Sequence, residues 1–254
     1  QIAALTDTQV PVLTTAQIVA LTTAQAAALT PNEVSKLTTA QVAAIETADL
    51  VKMTTAQIVA LTTDHASALT VSQVENLTTA QIAAIETADL VKMTTAQIAG
   101  LSSVQMPALT TDQMVTLTTA QIKAIETLDL QQLTTAQLVS LTSVQVPVLT
   151  TAQVVALTTA QAAVLTTSQL SRFSDKQMQA IQTDDLISLT TAQIVALGSD
   201  NIVGIETADI AALTTAQVVS LTTAQVAALT TDQITALKTA SIRAIETADI
   251  KALT

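Results

Sequence analysis

The chain has 254 residues, 49% hydrophobic and 11% charged, with 20 acids against nine bases and a formal charge of −11. That balance excludes a nucleic-acid binder, which needs clustered Lys and Arg to displace phosphate counterions. With no Trp or Tyr, a single Phe and two Arg, there is little material for a pocket or an interface hot spot, and the lack of Cys excludes disulfides and thiolate metal sites.

From Leu5 through Leu13, Leu21 and Leu29 to Leu253 every eighth residue is large and apolar, without insertion or deletion. The octad reads as in Leu13-Thr14-Thr15-Ala16-Gln17-Ile18-Val19-Ala20, and position 6 is apolar in every copy, from Ile2 to Ile250. Fixed-period self-similarity marks a repeat architecture in which each unit buries its apolar face only against its neighbours. A period held in phase leaves no place for a domain boundary, so residues 1–254 are expected to form one continuous array. The first residue is Gln and both ends fall inside an octad, so the chain reads as a segment of something longer.

An uninterrupted helix would drift by about 80° per octad and smear the apolar residues round its surface. An uninterrupted strand would send positions 1 and 6 to opposite faces. The spacing inside the octad predicts a short helix instead. Thr at position 2 and Gln at position 5 are three apart, as in a capping box, where the Thr oxygen accepts a backbone N–H and the Gln side chain reaches back. Six-residue helices are too short to stand alone, so packing of positions 6 and 1, with Ala at positions 4 and 8 admitting close neighbours, must hold them.

In chain order, Pro11 falls at position 7, where it removes a helical N–H and predicts a shortened or bent helix; Pro107 and Pro147 repeat the effect. Thr30-Pro31-Asn32-Glu33 puts Pro at the first helical position and Glu at the box position. At Ile45-Glu46-Thr47-Ala48-Asp49 an acid replaces the cap Thr together with Asp for Gln, and Thr47 is expected to take over the cap. His65 replaces one Gln and reads as a polar surface residue. The acidic variant recurs at Ile85, Ile125, Ile205 and Ile245, on a 40-residue spacing, with a related copy at Ile181. Between Leu130 and Ser171 there is no charge, but Thr or Ser and Gln interrupt every octad, so no membrane span of about 18 apolar residues forms. Ser174-Asp175-Lys176-Gln177 keeps a Ser cap and adds a first-turn acid.

The expected fold class is all-α, a solenoid of very short helices, one per octad, with a five-octad super-period read as a superhelical turn. A β-solenoid is the alternative, since Thr, Val and Ile favour strands. If five octads made one turn, Glu46, Glu86 and Glu126 would stack beside Asp49, Asp89 and Asp129, a ladder of hard oxygen ligands suited to calcium; the plainer reading is a recurring corner of the coil. Nucleophile–base pairs, zinc spacings and phosphate loops are missing. Neither catalytic, cofactor-binding nor metal residues are therefore assigned.

The tandem Leu-Thr-Thr-Ala-Gln octads resemble the octapeptide repeat regions of very long bacterial secreted or surface proteins, adhesin-like and type I secreted ones among them. Leu149 to Ala156 also resembles the opening of a TAL-effector DNA-binding repeat, but the period and the acidic charge differ, so helix capping accounts for that likeness. The first resemblance implies an extracellular structural role at a bacterial cell surface: a rigid rod, filament or layer that associates with itself end to end or laterally, with a surface rich in Thr and Gln. An adhesive module binding a surface polymer or ice is the alternative.

Overall fold

The computed structural model describes residues 5–245 and 247–250. It contains two compact units, Gln1–Leu133 and Thr134–Thr254, and the octad phase is the same in both. Among the described residues there is no strand; the elements are α-helices of four to seven residues and short 3-10 helices. This is the all-α solenoid, and the β-solenoid alternative finds no support.

Each octad restarts a helix in the same way. Leu at position 1 is extended, as in Leu37 at φ −56° and ψ 149°, and so ends the preceding helix. Thr at position 2 caps the next one: Gln17 N–H donates to Thr14 Oγ1 at 3.2 Å while Thr14 N–H donates to Gln17 Oε1 at 2.8 Å. Thr30 with Glu33 and Ser174 with Gln177 form the same box. The prolines act as expected, reducing their octads to the 3-10 helices Val10–Val12, Met106–Ala108 and Val146–Val148, because Pro cannot donate to the carbonyl four residues back. The acidic octads depart from expectation. Glu46 itself stands at the cap with no side-chain bond, and Thr47 is the first helical residue of Thr47–Leu50. Without the cap Thr and with the shorter Asp in place of Gln no box forms, and Glu86 and Glu126 repeat the uncapped arrangement.

Positions 1 and 6 form the core of each unit. Ile58 and Leu61, Leu90 and Met93 are buried in the first, and Ile194 and Leu197 in the second. Ala at position 8 is half-buried, as at Ala44 and Ala84, whereas Ala at position 4 is exposed, as at Ala40 and Ala56. Close approach of backbones therefore uses position 8 and not position 4.

Helices pack on those three octads away. In the first unit Thr15–Val19 meets Thr39–Ala44, which meets Thr63–Ala68, which meets Thr87–Leu90. In the second, Thr159–Val164 meets Thr183–Ser188, which meets Thr207–Ala212. Side-chain bonds between successive turns span 28 and 31 residues, as from Gln73 to Ile45 and Val42. One turn thus holds between three and four octads. The 40-residue period is real in the sequence but is not a turn of the coil, since forty residues exceed one such turn and fall short of two. Glu46, Glu86 and Glu126 are accordingly not stacked in a column.

One octad is joined differently. Leu197 is helical, and Gly198, with φ 76°, starts the helix Gly198–Gly204 without a side-chain cap. A Cβ there would meet no neighbour within 4 Å, so the requirement for glycine is conformational. Gly198→Ala should cost about 1 kcal/mol through the left-handed backbone alone, readable as a lower urea midpoint with unchanged m-value.

Candidate functional site

The chemistry-bearing side chain of the octad is the Gln at position 5, and it faces inward. Gln41, Gln57, Gln73, Gln97, Gln113, Gln177 and Gln217 are all at least nine-tenths buried, which corrects the expectation of a Gln-rich surface. Burial follows from a second task. Besides accepting from the cap N–H through Oε1, the amide nitrogen reaches back to the preceding turn. Gln97 Nε2 donates to Leu69 O at 2.6 Å and to Ala66 O at 2.9 Å. Gln81 does the same to Leu50 O and Met53 O, and in the second unit Gln233 to Ile202 O and Ile205 O. The acceptors sit at the end of an earlier helix, and the first of a pair, such as Leu50 O, also accepts the backbone N–H three residues on. One carboxamide thus closes the start of its own helix and the end of another.

Gln9 and Gln17 serve as an internal control. No residue of this chain stands 28 or 31 places before them, and both are exposed although their box bonds to Thr6 and Thr14 persist. The preceding turn, and not the box, buries the glutamine.

Substitutions at position 5 show which half of the task each residue can perform. His65 is buried at 4% exposure, which corrects its reading as a surface residue. Its Nδ1 accepts from Thr62 N–H at 3.2 Å and its Nε2 lies 2.6 Å from Leu37 O, so the Nε2–H tautomer reproduces the clamp with one donor instead of two. Glu33 accepts from Thr30 N–H at 2.6 Å but has no amide to give. Asp49, Asp89, Asp129, Asp185 and Asp209 are buried and likewise have no donor when ionised. In the second unit Thr183 Oγ1 donates to Asp209 Oδ1. Burial, with Glu86 close by, pushes the Asp89 carboxyl up to about 6. Burial and Glu126 raise Asp129; burial and Asp184 raise Asp185 against the lowering effect of a Thr159 hydrogen bond.

Where the clamp is interrupted in the second unit, the surface opens. A cleft of about 460 Å³ is lined by Ser171, Asp175, Gly198, Ser199, Asp200 and Asn201, at the octad where Asn replaces Gln. Another of about 320 Å³ is lined by Gln182, Thr183, Glu206 and Asp209, beside two acidic-type octads. Asn is one methylene shorter than Gln. Among the described residues no group of three or more His, Cys, Asp or Glu converges on a metal position, and no helix is long and apolar enough to cross a membrane. Nothing in the sequence reading anticipated the inter-turn bond. Its signal is that a capping box accepts Glu as well as Gln, yet position 5 is Gln in 22 octads and Glu only at Glu33.

The protein-family comparison agrees with this periodicity. A family model described as ALTTAQ repeat matches residues 42–79, 82–119, 122–159 and 202–239, together more than half of the chain, with starts on the 40-residue spacing. No curated protein matches it.

Three outcomes are expected. Gln97→Met keeps the shape but removes both the donor and the acceptor of the Thr94 N–H, and should cost about 3 kcal/mol for three lost bonds at about 1 kcal/mol each, whereas His65→Gln should gain about 1 kcal/mol by restoring a bond to Val34 O; chemical denaturation checks both. Calcium at millimolar concentration should leave the melting temperature unchanged, because the carboxylates of successive acidic octads are not stacked; a rise on titration would restore the ladder.

Proposed function

Because the chain belongs to the ALTTAQ repeat family, we propose that it is a structural element on the outside of a bacterial cell, a rigid rod, filament or surface-layer spacer, working without catalysis or a bound cofactor. The observation that carries the reading is the clamp itself. The distinctive polar side chain of the octad is spent on joining turns, so the repeats invest their chemistry in cohesion. Stability of such an array grows with each added neighbour interface, which suits an element whose task is to extend.

Self-association is part of the same proposal. Position 7 presents a partly exposed Val in many octads, among them Val19, Val59 and Val115 in the first unit and Val155, Val195 and Val219 in the second. Single exposed valines are ordinary, but their recurrence offers copies of the chain several apolar points of contact. The extracellular placement rests on the resemblance to secreted and surface repeat regions, and the Cys-free composition is compatible with it.

Immunogold electron microscopy of the source cells, with small-angle scattering of the purified chain, tests this reading. Label at the cell surface and a maximum dimension that grows linearly with octad number are expected. Label confined to the cell interior would remove the surface role, and a dimension independent of octad number would remove the rod. A ligand-binding module is the second reading, favoured by the cleft at Ser171, Asp200 and Asn201. A glycan array should stay blank if the role is structural, while saturable binding abolished by Asn201→Gln would favour the module.

A further inference from the structure

In the acidic octads position 5 places a buried acid where the clamp requires a donor, and Asp89 is the sharpest case. It lies in the helix Thr87–Leu90 at 3% exposure, and its Oδ2 is buried without a hydrogen-bond partner. The helix packs against Thr63–Ala68 and Thr111–Thr116. The titratable groups on these elements are Asp64 and His65 on the first and Asp112 on the second, with Glu86 and Lys92 flanking Asp89 in its own segment. Of these only His65 is buried, and both its ring nitrogens are engaged, with Thr62 and Leu37. By the 31- and 28-residue spacing of Gln81 and Gln97 on either side, the carbonyls that correspond to Asp89 are those of Ile58 and Leu61. Carbonyl oxygens accept only, so an ionised carboxylate has nothing to offer them, whereas a carboxylic acid carries an O–H.

We propose that the acidic octads are acid-tightened joints: protonation of Asp89 converts an unmatched buried oxygen into a donor between successive turns, and the solenoid is more stable in mildly acidic solution than at neutral pH.

The direction of the Asp89 shift agrees. Its carboxyl ionises near 3.8 ordinarily and near 6 in the fold, so between those values folding takes up a proton. Stability is lowest above about pH 6, rises as the pH falls through that value, and the gain is complete below 3.8. Asp129 shifts in the same direction. Asp185, Asp209 and Asp249 already accept from the Thr159, Thr183 and Thr223 hydroxyls and stand outside the proposal.

The test compares thermal melts of the full chain with Asp89→Asn, which always carries a donor, from pH 7.5 to 4.5. Asp89→Asn should melt a few degrees above the parent at pH 7.5, and the gap should begin to close as the pH falls through about 6 and go on narrowing to pH 4.5. Glu75→Gln, which removes a charge at an exposed position, should give a gap that does not change over that range and so separates the joint from general relief of the −11 charge. The carboxyl carbon of Asp89, followed by NMR in the parent chain, should titrate near 6 and decides the matter if Asp89→Asn does not fold. A constant gap between parent and Asp89→Asn, or an Asp89 carbon titrating near 3.8, overturns the proposal.

Discussion

A hydrogen bond from a glutamine side chain to the ends of helices 28 and 31 residues earlier is the constraint on which the rest of this structure depends. Six-residue helices lie below the length at which helix formation sustains itself, and a solenoid of them has many more helix ends per residue than a bundle of long helices. Each end leaves carbonyls and N–H groups without intrahelical partners, and buried unmatched groups cost roughly 1–3 kcal/mol apiece. The octad meets that cost with Thr at the start of each helix and Gln serving both the start of one and the finish of another. The apolar residues at positions 1 and 6 supply burial; the carboxamide fixes which turn lies on which.

The same interaction explains which substitutions at position 5 accompany local change. His65 retains an acceptor and a donor, and its octad keeps a six-residue helix with a complete box. Glu33 retains the acceptor and the box. Asp is too short for the box and has no donor, and in the first unit its octads contract to four-residue helices. In the second unit Asn201 adjoins a cleft and a glycine-started helix. Helix length does not follow position 5 alone, since the octads of Asp185 and Asp209 keep six-residue helices and that of Gln169 has four residues despite its box.

Much of the local structure was legible in the sequence. The octad phase, the Thr14 cap, Pro31 at the first helical position and the shortening at Pro107 all depend on contacts within a few residues, which spacing alone encodes. The number of octads per turn was not legible. It depends on how far the Gln97 side chain reaches and on the size of position 8 against the facing helix, neither of which leaves a periodic trace. The most visible long period, forty residues, comes from recurrence of the acidic octad and was for that reason misleading about the coil. His65 and the glutamines were misplaced at the surface because polarity was weighed without asking where the helix-end carbonyls find donors.

The mismatch between the forty-residue period and a turn of 28 to 31 residues has a mechanical consequence. In the first unit Asp49, Asp89 and Asp129 mark contacts that lack a glutamine clamp. Had their spacing equalled the turn, these weak contacts would align into a seam along which a load could peel the coil open. Because the two periods are incommensurate, each weak contact is rotated away from the previous one and flanked by intact clamps on adjoining octads. A crack started at one would run into a glutamine before it met the next aspartate.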